Sequence, residues 1–195
     1  MKRLIVGLFL LFSAGASAQD YYQYAGPGLV YSHYQQDLVY ADQNIFAGTV
    51  NYSSIIYGLS YGGKYLINKR PNISYGLASY PFGGVSFLGV GGTIYGNLGI
   101  NVPVYGEFVL GNPEASNFFI GVGMEYNFYK EFGLPIEQVF GPSAELGGQI
   151  DLPNRTIAVK VAYTYGLNDG KYFDENFRVE SGKRGSFTAT LLYPF

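Results

Sequence analysis

Read back from its last residue, the chain alternates. Phe195, Tyr193, Leu191, Ala189 and Phe187 fall on one side, and Pro194, Leu192, Thr190, Thr188 and Ser186 on the other. A two-residue period with one apolar face predicts a β-strand. The same period recurs upstream in segments of roughly ten residues, the length a tilted strand needs to cross a bilayer. In RTIAVKVAYTYGL, Ile157, Val159, Val161, Tyr163, Tyr165 and Leu167 oppose Thr156, Ala158, Lys160, Ala162, Thr164 and Gly166. In NFFIGVGMEYNFY, Phe118 to Phe128 take the even positions against Phe119, Gly121, Gly123, Glu125 and Asn127. TIYGNLGINVPVYGEFVL sets Leu98, Ile100, Val104 and Phe108 against Asn97, Asn101, Tyr105 and Glu107, and FGPSAELGGQI sets Phe140, Ala144, Leu146 and Ile150 against Ser143, Glu145 and Gln149. Weaker segments follow the same rule around Gly28–Tyr34, Ile55–Ile67 and Ile73–Leu77. With the terminal segment they predict eight strands.

The connections alternate in kind. Asn68–Asn72, Gly111–Ser116 and Asp151–Asn154 are short, carry Pro and Asn, and read as tight turns. Between them lie longer stretches: Gln35 to about Ser53, about Phe82 to Gly92, Lys130 to Val139 and Asn168 to Lys183. Turns at one end and longer loops at the other are the layout of an antiparallel transmembrane barrel, with periplasmic turns and extracellular loops.

Alternation alone does not say which face is outward. Eight strands enclose a space just wide enough for side chains to fill. The Gly, Ala, Ser, Thr and Asn faces suit that lumen, whereas the Tyr, Phe, Ile and Val faces would overfill it. Composition agrees: charged residues are 13%, about half the globular norm, while Tyr 20, Phe 15 and Gly 28 are heavily used. Tyr163 and Tyr165 fall near the loop end of their strand, and Phe108, Phe118, Tyr193 and Phe195 near the turn end, where interfacial girdles belong.

The N-terminus supplies the compartment. Lys2 and Arg3, the apolar run Leu4–Phe12 and Ala16-Ser17-Ala18 read as a secretory signal peptide over residues 1–18, leaving 19–195 as the barrel. Loss of Lys2 and Arg3 takes the net charge from −2 to −4, so a basic footprint for nucleic acid is absent. With no cysteine there is no disulfide framework and no thiolate metal site.

On the signal peptide, the eight alternating segments and the terminal Tyr193-x-Phe195, the chain resembles the small outer-membrane protein family of OmpA-type and OmpX-type eight-stranded barrels, over its mature length. The resemblance implies outer-membrane localisation, contact with lipid and lipopolysaccharide, and a role for Tyr193 and Phe195 as the signal read by the barrel-insertion machinery. OmpA itself carries a periplasmic domain after the barrel; none is expected here, so the resemblance does not carry over a peptidoglycan-anchoring role.

Little conventional chemistry is legible. The one histidine, His33, neighbours Ser32 in a strand, and neighbours point to opposite faces. Gly58–Tyr65 imitates a phosphate-binding loop only as far as Gly63-Lys64, with Tyr65 in place of the needed hydroxyl residue and a strand in place of a helix start. The loop Asn168–Lys183 holds Asp174 and Glu175 without the spacing of a calcium loop, and Tyr172 and Phe173 there are candidate surface contacts. No cofactor or metal is expected. On the lumen face Lys64, Glu107, Glu125, Glu145 and Lys160 are expected to pair with one another and fill the barrel. Pairing Asp151 with Asn154 in the DLPN turn would set Glu145 opposite Lys160, Ala144 opposite Val161, Leu146 opposite Val159 and Phe140 opposite Tyr165. The expectation is a non-enzymatic barrel with an occluded lumen, acting in envelope structure or through its outer loops, possible envelope or surface proteins being its partners. The alternatives are a subunit of a larger secretion or assembly complex and a lipid-modifying enzyme.

Overall fold

The computed structural model describes residues 21–40, 45–68, 70, 72–90, 93–131, 136–167 and 177–195. Residues 1–18, expected to be a signal peptide, and Tyr172, Phe173, Asp174 and Glu175 lie outside the described residues. Nine antiparallel strands form one sheet: β1 (Tyr21–Tyr40), β2 (Phe46–Asn68), β3 (Ile73–Ser79), β4 (Phe82–Val90), β5 (Thr93–Gly111), β6 (Asn117–Glu131), β7 (Ile136–Leu152), β8 (Arg155–Gly166) and β9 (Phe177–Pro194). The sheet closes because β1 pairs with both β2 and β9. β3 and β4 are one stave in two pieces, each bonded to β2 on one side and β5 on the other. Pro81, which has no N–H to give, marks the break, and its carbonyl still accepts from Tyr61 N at 3.0 Å. The barrel therefore has eight staves.

Hydrogen-bonded partners can be followed once round the wall: Tyr31, Phe187, Tyr163, Ala144, Val122, Gly106, Leu77, Tyr65 and back to β1 at Tyr21. The path returns ten residues lower on the same strand. An offset of that size over eight staves gives the roughly 35–45° strand tilt of a transmembrane barrel.

The faces follow the alternation. Leu59, Leu77, Val122, Leu146 and Val159 are exposed on the outer wall, and their neighbours Ser60, Ala78, Glu145, Ala158 and Lys160 are buried in the lumen. Aromatics bracket this apolar band. Tyr75 and Phe108, with ring centroids 6.2 Å apart, and Tyr61 and Phe195, 6.1 Å apart, lie toward the turn end, and Tyr126 and Phe140, 6.4 Å apart, toward the loop end. No charged residue falls on the outer face of the band among the described residues, as hydrocarbon contact requires: a lipid-facing Arg or Lys at the midplane costs about 2–4 kcal/mol.

The structure corrects two expectations. Phe82–Val90, taken from the sequence as loop, is strand β4; Gly83, Gly84 and Gly89 erase the alternation there but leave the backbone free to pair. The other long connections shorten likewise, β1 running on to Tyr40, β2 starting at Phe46, and β6 and β7 reaching Glu131 and Ile136. Beyond the apolar band the outer face meets water, so polar residues on it no longer argue against a strand. The second correction is the β7–β8 register. Leu152 pairs with Arg155, leaving Pro153-Asn154 as a two-residue turn. Proline then stands second in the turn, where its fixed φ is favoured, rather than third. Every pair slides by two: Ala144 faces Tyr163, Leu146 faces Val161 and Glu145 faces Ala162. A slip of two residues leaves each side chain on its own face.

Candidate functional site: the lumen

Five charged side chains expected in the lumen are there, each 2% exposed or less. Lys64 Nζ sits 3.1 Å from Glu107 Oε1, and Lys160 Nζ 3.2 Å from Glu145 Oε2. The second pair is diagonal, because Lys160 lies opposite Gly147 and Glu145 opposite Ala162. Lysine's four-carbon stem spans the offset. Rings enclose both ammonium groups: Lys64 lies 4.9 Å from the Phe119 centroid and 5.6 Å from that of Tyr24, and Lys160 4.4 Å from Tyr80 and 5.3 Å from Tyr105. Desolvated cation–π contacts of this kind offset part of the burial cost of the charges. The Tyr80 hydroxyl donates to Glu107 Oε2 at 3.2 Å and ties the two pairs into one layer.

Small residues make room for this filling. A Cβ at Gly121 would stand 2.7 Å from Glu145 Oε1, and one at Gly147 2.3 Å from the Phe119 ring. The glycines that look like weak points in β6 and β7 are therefore packing positions.

At the turn end the Gly111–Ser116 turn is fastened to the lumen face. Gln149 Nε2 donates to Ala115 O at 2.8 Å and to Pro113 O at 3.4 Å, and Pro113 is buried. The Tyr24 hydroxyl reaches across the lumen from β1 to donate to Gln149 Oε1 at 2.9 Å. Asn117 Nδ2 holds the same turn through Asn112 O and Ala115 O.

Toward the loop end the character changes. Glu125 accepts from Asn101 Nδ2 at 2.9 Å and from the Tyr105 hydroxyl at 3.4 Å. Above it Arg184 stacks 3.9 Å from the Tyr129 centroid and 5.0 Å from that of Tyr34. Arg184 was not among the sequence candidates. Its signal was present, since it shares parity with Ser186, Thr188 and Thr190 on the inward face of β9, but it stood at the edge of a stretch read as loop. His33 is exposed on the outer face while Ser32 is buried and lies 3.2 Å from Ser54 Oγ, so the two do not meet. Tyr193 and Phe195 lie on the outer wall at the turn end, and Phe195 N donates to Gln23 O at 3.2 Å, tying the last residue to β1.

No family model matches the sequence, and no curated protein matches it. Solved structures do. OprG of Pseudomonas aeruginosa, an outer membrane protein, is 14% identical over 90% of this chain and 95% of its own, with a TM-score of 0.61. Ail of Yersinia pestis, an attachment invasion locus protein solved with the heparin analogue sucrose octasulfate, is 12% identical over 89% and 99%, at 0.45. The outer membrane protease OmpT of Escherichia coli is 10% identical over 92% and 98%, at 0.46. Of these, the match to OprG bears on the architecture, and what it shows is the fold: an antiparallel outer-membrane β-barrel.

Proposed function

We propose that this outer-membrane β-barrel is non-enzymatic, has an occluded lumen, and acts in envelope structure or surface interaction through its extracellular loops. The observation that supports this reading is the filled mid-lumen layer, where Lys64–Glu107 and Lys160–Glu145 are packed among Tyr24, Tyr80 and Tyr105. Atoms in contact across the lumen leave no path for solutes of porin size. Among the described residues no group of three or more His, Cys, Asp or Glu is placed to hold a metal, and His33 faces away from the lumen carboxylates. Under this reading the surface work falls to residues such as Tyr172, Phe173, Asp174 and Glu175. Lipid and lipopolysaccharide surround the wall, and Tyr193 and Phe195 serve recognition by the insertion machinery during assembly.

The test is overexpression of the full chain with three readouts. Lipid A mass should be unchanged, purified barrel should give no steady porin-sized conductance in planar bilayers, and a lone cysteine at Asp174 should react with an impermeant maleimide on intact cells. A shifted lipid A mass would replace this reading with the lipid-modifying enzyme.

A further inference from the structure

Glu125 differs from the other two lumen carboxylates. Glu107 and Glu145 each have a lysine nitrogen within 3.2 Å, but Glu125, 2% exposed, has no basic nitrogen within 4 Å among the described residues, and its two bonds come from a neutral amide and a neutral hydroxyl. A buried carboxylate without an opposite charge is costly. Around it are two amide oxygens that make no hydrogen bond, Asn101 Oδ1 and Asn127 Oδ1, and the Tyr129 and Ser186 hydroxyls, all on side chains at least nine-tenths buried. These groups are contiguous. Asn101 and Asn127 face each other across β5 and β6, Asn127 stands two residues above Glu125 on the same face, and Tyr129 lies beside Asn101 and Ser186.

We propose that Glu125, with Asn101, Asn127, Tyr129 and Ser186, forms a site for a small monovalent cation in the outer half of the lumen. One carboxylate with amide and hydroxyl oxygens is the donor set of a hard cation. The charge is set by the surroundings. A single negative charge, with the Arg184 guanidinium 3.9 Å from the Tyr129 ring, does not compensate a divalent ion. Weak binding follows, with occupancy at the salt concentrations found outside a cell rather than at trace levels.

The test uses the full refolded barrel. Its melting temperature in NaCl should exceed that in choline chloride at equal ionic strength by about 2–4 °C. Crystals soaked in rubidium chloride should show anomalous scattering beside Glu125. Glu125→Gln should abolish the salt response, and Asn127→Ala, which keeps the carboxylate, should shrink it if the first variant fails to fold. Arg184→Gln removes the competing charge and should enlarge it. Equal melting of the wild type in the two salts, with no rubidium peak at Glu125, overturns the proposal and leaves Arg184 as the distant counter-charge.

Discussion

The two halves of the lumen are built from the same wall and solve burial in opposite ways. On the turn side each lysine has a carboxylate, each ammonium has aromatic faces, and Gln149 fastens the Gly111–Ser116 turn beneath the network. On the loop side Glu125, among the described residues, accepts only from a neutral amide and a neutral hydroxyl. The difference teaches that one narrow barrel can bury carboxylates in two ways, ion-paired or held by neutral donors. A carboxylate deep in the wall needs an ammonium beside it, whereas one nearer the outer mouth can be served by neutral donors and by water or ions.

The strongest way to break this comparison is to unpair the inner layer. Lys160→Glu should lose about 3–5 kcal/mol of stability to urea, as expected when one partner of a buried pair is replaced. Adding Glu145→Lys should recover more than half of that loss. Strictly additive single effects would mean the 3.2 Å contact carries no coupling.

Next in size is the packing under Phe119. Gly147→Ala puts a methyl 2.3 Å from that ring and 2.5 Å from Val159 O, and should cost about 1–3 kcal/mol in the same assay. A neutral outcome would mean the inner half has slack.

Gln149→Ala removes the donor to two turn carbonyls and the acceptor for Tyr24. It should cost about 1–2 kcal/mol and speed amide exchange in residues 111–116 while leaving exchange in β8 unchanged.

The smallest effect belongs to the outer half. Ser186→Ala deletes one small hydroxyl beside Tyr129, far from either ion pair, and stability should move by less than about 0.5 kcal/mol. A loss above roughly 2 kcal/mol would place the outer half in the same tightly paired class as the inner one.

The sequence by itself determined which side of the wall each residue faces. Alternation is local, and no later event reverses it: Lys64, Glu107, Glu125, Glu145 and Lys160 all point inward, and Phe108, Phe118, Tyr193 and Phe195 all point outward. The number of staves follows from the same period. Tertiary structure decided the rest, because each remaining feature depends on how far one strand slides past another. The slide placed Leu152 against Arg155, made the Lys160–Glu145 contact diagonal, and set Lys64 beside Glu107 from a strand it does not pair with. The same closure brought Tyr24 of β1 to Gln149 of β7, and Arg184 to Tyr129, pairs separated in the chain by a distance no periodicity reports. A two-residue period carries the parity of a strand but not its offset, and in a closed barrel the offset decides which buried charges find a partner.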